Sequence, residues 1–309
     1  MTSRWTRFLW LLVPVLGLIE LGAHYAFAHR APTQEEWLAV RESVAALRQN
    51  GELVVVAPRW ADPLARQAFG ESLTPLRDVA RADESGYPRA LEVSALGARA
   101  PELRDWRVLE ERTSGSFHLR LLENPKPVRV QFDFVEALGP ERVKVFERAG
   151  SQSRECPFNP QARRDTGYLG GPPAFPGRRF TCSGGDWFFV GVTVIDDPEY
   201  RPRRCIWAQP VPNGATLVRF TQVPLGAMIR GHAGVPWLIL RDARGAPIEL
   251  EVRVAGRSIG THVYREDHGF EPFEFATGGH AGKVADVEFE IRSSVGGGER
   301  QFCFHADTR

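Results

Sequence analysis

The chain has 309 residues, of which 43% are hydrophobic and 25% are charged, a composition typical of globular proteins and a length sufficient for two domains. Its 39 basic and 38 acidic residues nearly cancel, and no dense run of lysine and arginine follows the first residues. Nucleic-acid binding needs a basic surface that neutralises phosphates, so this charge distribution argues against a nucleic-acid partner.

The first predicted element is a hydrophobic segment from Phe8 to Ala28, preceded by Arg4 and Arg7 with no acidic residue. The basic flank should stay in the cytoplasm while the rest of the chain is exported. Two interpretations stay open. The segment is long enough to span about 30 Å of hydrocarbon as an anchor, and Ala26-Phe27-Ala28 fits a signal-peptide cleavage site. We favour a single-pass inner-membrane protein with its bulk in the periplasm; cleavage near Ala28 would leave a periplasmic or secreted protein.

The next predicted elements form a small α/β domain over residues 31–124. Thr33 and Glu36 have the spacing of a capping box, and apolar residues recur at helical spacing after them. A buried strand over Glu52–Ala57 follows, and then a loop and a second helix. The remaining elements are a strand over Arg89–Leu96 and a hairpin with arms at Trp106–Glu111 and Ser116–Leu122. This order predicts a parallel or mixed sheet.

From residue 125 the sequence changes to short alternating runs bounded by glycine and proline, which predict a β-sandwich. We expect a β-rich connecting region over 125–204, with an irregular Pro/Gly-rich loop at 150–182, and a jelly-roll-like antiparallel sandwich over 205–309. The predicted fold class is therefore α+β and multidomain, with an N-terminal transmembrane helix within residues 1–30. The candidate strands are Val128–Phe134, Val143–Glu147, Trp187–Thr193, Thr216–Gln222, Trp237–Arg241, Ile248–Val254, Arg257–Val263, Glu271–Ala276, Asp286–Ile291 and Gln301–His305.

The four cysteines are even in number and include no C-x-x-C pair and no histidine at metal-ligand spacing. Structural disulfides in an oxidising compartment explain them better than a zinc site does. Of the three possible connectivities, we predict Cys156 with Cys182, closing the irregular loop, and Cys205 with Cys303, tying the first strand of the C-terminal domain to its last. We predict no metal site.

Three short segments resemble the extracytoplasmic part of bacterial membrane glycosyltransferases that use lipid-linked sugars. They are ELVVVAPRWADP at Glu52–Pro63, the strand Ala90–Ser94 after Tyr87-Pro88, and the hairpin arm Phe117–Leu122. The chain departs from those transferases because it has one candidate membrane segment where they have many, and their catalytic acidic residue lies between the first two. No catalytic residue is carried over. The resemblance implies an accessory domain whose partner is a glycan or a lipid-linked sugar.

The C-terminal part resembles galactose-binding-like and other jelly-roll carbohydrate-binding modules. The resemblance rests on LEVRVAGRSIG at Leu250–Gly260, a strand, tight turn and return strand, and on the aromatic-rich GFEPFEFAT at Gly269–Thr277. Sandwiches of this kind also occur without any ligand, so the fold alone does not give a function.

No nucleophile elbow, phosphate loop, dinucleotide fingerprint, zinc-protease motif or calcium loop occurs in the sequence. We therefore expect no cofactor and lean against an enzyme. The densest polar cluster could line a sugar site, with carboxylates and an arginine fork binding hydroxyls and an aromatic ring stacking on the sugar. The alternative is an exposed charged loop. Its residues are His262, Tyr264, Arg265, Glu266, Asp267, His268 and Phe270.

A second candidate ligand site follows the first predicted strand, at the sheet edge where α/β proteins bind ligands: Arg59, Trp60 and Asp62. The alternative there is that Asp62 caps a helix and Trp60 packs in the core. Other polar residues have two explanations as well. Asp186, Asp196 and Asp197 suit calcium, an acid/base pair or simply a turn, and Arg201, Arg203 and Arg204 suit phosphate or a solvated linker.

The function predicted from these patterns is that of a membrane-anchored extracytoplasmic protein that binds carbohydrate or assists glycan assembly. One alternative is a hydrolase or transferase acting on envelope polysaccharide, which needs paired carboxylates in one cleft, for instance from Glu266, Asp267 and Asp186. Another is a structural envelope protein that contacts other proteins through an exposed apolar patch.

Overall fold

The computed structural model of the chain describes residues 4–28, 31–48, 51–164, 174–185, 187–211, 213–237, 246–265, 269–294 and 300–309. Contacts among them divide the chain into two compact units. The first contains Met1–Asp78 and Tyr87–Pro127, and the second contains Val79–Gly86 and Val128–Arg309.

The N-terminal segment forms a helix, α1 (Arg4–Ala28), over the residues predicted to be an anchor or a signal peptide. Across the part of the chain that the structure describes, no helix combines the length and the apolar character that crossing a membrane requires. The predicted transmembrane helix is therefore not supported.

The first unit contains a mixed sheet and the helices that follow its predicted order. Helix α2 (Gln34–Leu47) begins at the predicted capping box, in which the Glu36 N–H donates to the Thr33 hydroxyl and the Thr33 N–H donates to the Glu36 carboxylate. The other elements are β1 (Leu53–Ala57), α3 (Asp62–Leu73), α4 (Leu76–Val79), β2 (Arg89–Ala95), β3 (Arg107–Ser114) and β4 (Phe117–Glu123).

The sheet of the first unit has the order β1-β2-β4-β3, with β1 parallel to β2 and the other pairs antiparallel. Its core is centred on Trp37 of α2, whose ring centroid lies 4.5 Å from that of Phe117 and 5.8 Å from that of Phe69. These rings are buried, so they hold α2 and α3 on one face of the sheet.

Among its described residues, the second unit contains turns, loops and one 3-10 turn at Gly278–His280 besides its strands. In chain order the strands are β5 (Phe132–Asp133), β6 (Val143–Ala149), β7 (Gln152–Cys156), β8 (Phe158–Asn159), β9 (Arg179–Thr181), β10 (Phe189–Asp196), β11 (Pro202–Ala208), β12 (Gly214–Pro224), β13 (Met228–Gly234), β14 (Ile248–Val254), β15 (Arg257–Tyr264), β16 (Glu271–Ala276), β17 (Val284–Ser293) and β18 (Cys303–Thr308).

Within the described residues these strands pair antiparallel into two sheets. The larger sheet has the order β16-β13-β18-β11-β10-β9-β8, with β5 on β18, and the smaller sheet has the order β15-β14-β17-β12-β6-β7. Phe220 and Phe289 of the smaller sheet share one buried cluster with Phe304 of the larger. The Phe289 and Phe304 centroids are 4.9 Å apart. The predicted antiparallel β-sandwich is confirmed.

The sandwich begins earlier in the chain than the predicted boundary at residue 205. β6 and β7 belong to the smaller sheet and β10 to the larger, so residues 125–204 supply strands to both sheets.

Two predicted strands differ from the structure. Val128–Phe134 shortens to β5, which ends where Asp133 accepts backbone hydrogen bonds from Val135 and Glu136 that turn the chain. Trp237–Arg241 lies almost wholly outside the described residues.

Four strands of the larger sheet, β8, β9, β11 and β13, are not among the predicted strands, and β8 and β9 lie within the predicted irregular loop. In β11 the prolines and arginines suggested a linker, but Ile206 and Ala208 face the core while Cys205 and Trp207 face the other side. In β13 the glycines hid the alternation. Gly231 needs to be glycine, because a Cβ there would lie 2.1 Å from the His305 carbonyl oxygen.

Both predicted disulfides are present. Cys156–Cys182 links residues 26 apart, and Cys205–Cys303 links residues 98 apart on the neighbouring strands β11 and β18. A crosslink that closes a longer loop removes more conformational entropy from the unfolded chain.

Replacing both cysteines of Cys205–Cys303 by serine should therefore lower the free energy of unfolding by about 1 kcal/mol more than the same change at Cys156–Cys182. Urea unfolding of the two double variants, followed by tryptophan fluorescence, measures the difference. Equal losses, or a larger loss at Cys156–Cys182, would show that chain entropy does not govern these crosslinks.

Candidate functional site

The outward side of the smaller sheet carries a network of paired charges, which we call the outer face. Alternation along β17 sends Val287, Phe289 and Ile291 into the core, so Glu288 and Glu290 project to the opposite side. The other charged residues of the outer face come from the same strand and from the rest of the sheet: Arg292 on β17, Arg148 on β6, Arg219 on β12, and Glu249, Glu251 and Arg253 on β14.

Glu290 is the centre of this network. Its side chain is fully buried, and it accepts hydrogen bonds from the guanidinium groups of Arg148, Arg253 and Arg292, the last at 3.2 Å. A buried carboxylate is costly unless it is paired and its oxygens accept hydrogen bonds. The arginines meet that requirement, so each of them is held in a defined position on the sheet.

Arg253 links Glu290 to the two acidic residues beside it. Its Nη1 donates to Glu288 at 3.1 Å as well as to Glu290, and its Nη2 donates to Glu251 at 2.7 Å. Burial disfavours the charged guanidinium, but the hydrogen bonds to Glu290 and Glu288 and the neighbouring carboxylates outweigh it and raise the pKa of Arg253. Arg253 is therefore a permanent, oriented cation.

Arg219 continues the network toward β6. Its Nε and Nη2 donate to Glu288 at 3.0 and 2.8 Å, and its guanidinium carbon lies 5.7 Å from the centre of the Phe146 ring. An aromatic face attracts a guanidinium at this range. The Arg219 side chain is 45% exposed, so one edge of the guanidinium stays open to solvent.

A cavity of about 650 Å³ opens on the outer face, and we call it the arginine cavity. Its lining combines charged residues, which we call the polar wall, with small and aliphatic residues, which we call the aliphatic wall, and it includes the turn between β14 and β15. In that turn Gly256 has φ +78°, which glycine adopts without strain. The lining residues are Arg148, Arg219, Arg253, Asp286 and Glu288 in the polar wall and Ala255, Gly256, Val284 and Ala285 in the aliphatic wall.

The structure places the two aromatic rings of the predicted polar cluster in different buried clusters. Tyr264 is fully buried and packs toward Phe302, while Phe270 belongs to a different buried cluster beside Trp207. Neither ring is available to stack on a sugar. His262 is half-buried, with Nε2 3.5 Å from a Glu271 oxygen, and burial lowers its pKa. Arg265 is exposed, and Glu266, Asp267 and His268 lie outside the described residues.

The second predicted site, in the first unit, does not match its alternative interpretation, in which Asp62 caps a helix and Trp60 packs in the core. Asp62 is the first residue of α3 rather than its cap, and it pairs with Arg66 at 2.8 Å. Trp60 is 54% exposed rather than packed in the core. Arg59 reaches Glu102 at 3.4 Å. Arg59, Trp60 and Asp62 remain a predicted ligand site.

The acidic and arginine-rich stretches around residue 200 form a turn and a strand. Asp197 is fully buried and accepts hydrogen bonds from the backbone of Glu199 and Arg201 and from the side chain of Arg203. This arrangement is turn chemistry closed by an ion pair. Arg204 pairs with Glu136 at 2.8 Å. Asp186 lies outside the described residues.

One group of metal-type ligands converges among the described residues, namely Glu147 with Cys156 and Cys182. The two sulfurs form the disulfide, and they are not available as thiolate ligands. Glu147 instead accepts hydrogen bonds from the backbone and hydroxyl of Ser183.

A buried histidine lies on the outward side of the larger sheet. His232 of β13 is opposite His305 of β18, and its ring is parallel to that of Phe270 with centroids 6.0 Å apart. Burial is the main cause that lowers the pKa of His232 to about 4, and the charges of Arg203 and Arg230 act in the same direction. Burial also disfavours ionised Asp83 nearby, but the Ser85 hydroxyl and Arg309 outweigh it and lower the pKa of Asp83 to about 2.

The arginine cavity was missed because it depends on pairing between distant segments. The sequence does show the alternation of β14, in which Glu249, Glu251 and Arg253 occupy every second position. That pattern marks a charged outward face. Arg148 and Glu290 are 142 positions apart in the sequence. They come into contact because of the register of β6, β12 and β17.

No protein-family model and no curated protein matches the sequence. The chain is similar to the solved structure of the CBM51 carbohydrate-binding domain from Clostridium perfringens GH95 in complex with methyl-galactose, at 10% identity and a TM-score of 0.28, over 38% of this chain and 81% of that one. It is also similar to the CBM51-2 and INT domains of C. perfringens ZmpB, at 7% identity and a TM-score of 0.30, over 58% and 40% of the two chains.

A third similar structure is the enzymatically active domain of tailspike protein 4 from bacteriophage CBA120, at 15% identity and a TM-score of 0.24, over 38% of this chain and 17% of that one. Likenesses as distant as these assign neither a family nor a ligand to the chain. The resemblance of residues 33–123 to glycosyltransferases of lipid-linked sugars is not supported.

The burial of Glu290 leads to a stability prediction. Glu290→Gln should lower the free energy of unfolding by about 2 kcal/mol, because the arginines around it lose their shared carboxylate. Glu249→Gln is the control, since that side chain is 48% exposed and should change stability by less than about 1 kcal/mol. Urea unfolding at neutral pH tests both, and equal effects would contradict a central role for Glu290.

The burial of His232 leads to a pH prediction. Because its folded pKa lies below the unfolded value near 6.5, the unfolded chain binds the proton first as the pH falls. The contribution of neutral His232 to the free energy of unfolding should be fully present above pH 6.5, and it should fall by up to about 3 kcal/mol toward pH 4. His232→Gln should flatten this window, whereas His280→Gln, at a partly exposed turn, should not. Urea unfolding midpoints at several pH values measure how steeply stability falls with pH. An unchanged pH dependence in His232→Gln would show that His232 does not cause it.

Proposed function

We propose that the protein binds carbohydrate in the arginine cavity. The observation that carries this proposal is the pairing of a polar wall of fixed arginines and carboxylates with an aliphatic wall, in one concavity on a β-sheet. A sugar ring has the same two kinds of surface, hydroxyl groups around its edge and C–H groups on its faces. The volume of the arginine cavity, about 650 Å³, lies within the range of small-molecule sites.

The polar wall suits hydroxyl groups because its side chains are held in place before any ligand arrives. Arg148 and Arg253 are fixed by Glu290, and Arg219 is fixed by Glu288. Guanidinium groups present several donors in a planar fork, so nitrogens that do not contact a carboxylate can donate to a ligand oxygen. Ordering these side chains in advance lowers the entropy cost of binding.

The aliphatic wall gives the ring a surface to lie on. Val284 is 63% exposed at the start of β17, next to Ala285, and Ala255 stands in the adjacent turn. Covering this surface with the C–H face of a sugar removes apolar area from water, worth roughly 25 cal/mol per Å².

We also propose that the protein works in an oxidising compartment outside the cytoplasm. Both disulfides support this location, because such crosslinks persist where thiols are not kept reduced. Catalysis is not part of the proposal. In the cavity Glu288 accepts hydrogen bonds on both oxygens from Arg219 and Arg253, so it does not offer the free carboxylic acid that glycoside cleavage requires.

The proposal predicts that Arg219→Ala weakens glycan binding at least tenfold, since a charged hydrogen bond contributes roughly 1.5–3 kcal/mol. A glycan array with the oxidised full-length chain identifies a ligand, and calorimetry then gives affinities.

The matched control is Arg292→Ala, which removes an arginine of the same network that does not line the cavity. It should change affinity less than threefold. Absence of binding across the array, or equal loss in both variants, would overturn the assignment of the site.

A further inference from the structure

The polar wall of the arginine cavity holds more free donors than free acceptors. Arg148 uses one nitrogen, Nη2, to bind Glu290, so its Nε and Nη1 make no hydrogen bond with the described residues. Arg219 uses Nε and Nη2 on Glu288, which leaves its Nη1. The Arg148 and Arg219 side chains are 39% and 45% exposed, and both line the cavity, so these donors are accessible there.

The acceptors in the same wall are largely occupied. Glu288 accepts from Arg253 on one oxygen and from Arg219 on the other. Asp286 accepts the Gln222 backbone N–H on Oδ1, which leaves Oδ2 for a ligand. Glu290 does not line the cavity and its side chain is fully buried.

The preference of the wall rests on its free donors rather than on net charge. Three arginines line the cavity, and they face Asp286, Glu288 and the buried Glu290 that pairs with two of them, so the charges balance. Lys144 lies opposite Arg219 in the register of β6 and β12 and is exposed, so it adds positive charge beside the cavity.

We infer that the ligand of the arginine cavity is an acidic sugar, one whose oxyanion accepts hydrogen bonds from Arg148 and Arg219. This inference rests on the proposed function and narrows it to a substrate class. Hydroxyl groups both donate and accept, so a neutral sugar would leave most of its own O–H donors without acceptors in a wall with one free carboxylate oxygen. A carboxylate or a sulfate has acceptors only, and it pairs with a guanidinium fork in bidentate geometry.

The experiment compares ligands that differ in one charge. Trisaccharides of galacturonate, mannuronate and glucuronate are each titrated into the oxidised full-length chain as the free acid and as the methyl ester, and sulfated galactose trisaccharides form a further arm. We expect at least one free acid to bind tenfold or more tightly than its ester, and the advantage to shrink between 50 and roughly 500 mM salt as charges are screened. A preference for the sulfated sugar over its unsulfated parent would support the inference equally and assign sulfate as the oxyanion.

The variant that tests the named donors is Arg148→Gln, which removes the charge and the fork while Arg253 and Arg292 still hold Glu290. It should remove the advantage of the acid over the ester, because the ester has no oxyanion whose binding depends on the fork. Arg292→Gln, outside the cavity, should keep the advantage. Thermal unfolding of each variant confirms that it is folded, and Arg148→Lys provides a second variant that retains the charge without the fork.

The outcomes separate this inference from the proposed function. Equal binding of acids, esters and sulfated sugars would overturn the acidic class while keeping carbohydrate binding at the cavity. An advantage of the acid that survives in Arg148→Gln would overturn the role of Arg148. No binding of any sugar would overturn both proposals.

Discussion

Phe289 packs between the two sheets of the sandwich, and the charged surface on the other side of its strand depends on that packing. Its ring lies 4.8 Å from Phe134 and 4.9 Å from Phe304, centroid to centroid. Because side chains alternate along a strand, fixing Phe289 inward fixes Glu288 and Glu290 outward. A slip of one residue would bury both carboxylates in the core, so the apolar packing enforces the register on which the outer face is built.

The outer face in turn shows how a buried charge can organise a surface. Glu290 is tolerable on the sheet because Arg148, Arg253 and Arg292 surround it, and those contacts align the arginines at the same time. The side chains of the arginine cavity are thus positioned by the fold itself. Pre-positioned side chains are what a weakly hydrophobic ligand such as a sugar requires, since it offers little apolar area to offset an ordering cost.

The parts of the structure that the sequence predicted are those with local signals. The capping box at Thr33 and Glu36 involves neighbouring residues, and the alternation of β14 is continuous. The sequence pattern does not predict β11, because its core-facing residues lie among arginines and prolines that suggest a linker. Tyr264 was assigned to a ligand site although alternation from Ile248 across the hairpin places it inward. Predicting the arginine cavity requires the pairing register of strands that are distant in the sequence, and no local pattern contains that information.

The strict alternation of β14 and β17 also bears on how such a protein changes over generations. Substitutions at core positions such as Val252 and Phe289 threaten folding, whereas those at exposed cavity positions such as Arg219 and Val284 change the charge and shape of the surface without touching the core. The two sets of positions can therefore diverge at different rates. A lineage carrying this fold could acquire a new ligand by exchanging a few outward residues, while its interior remained under unchanged selection.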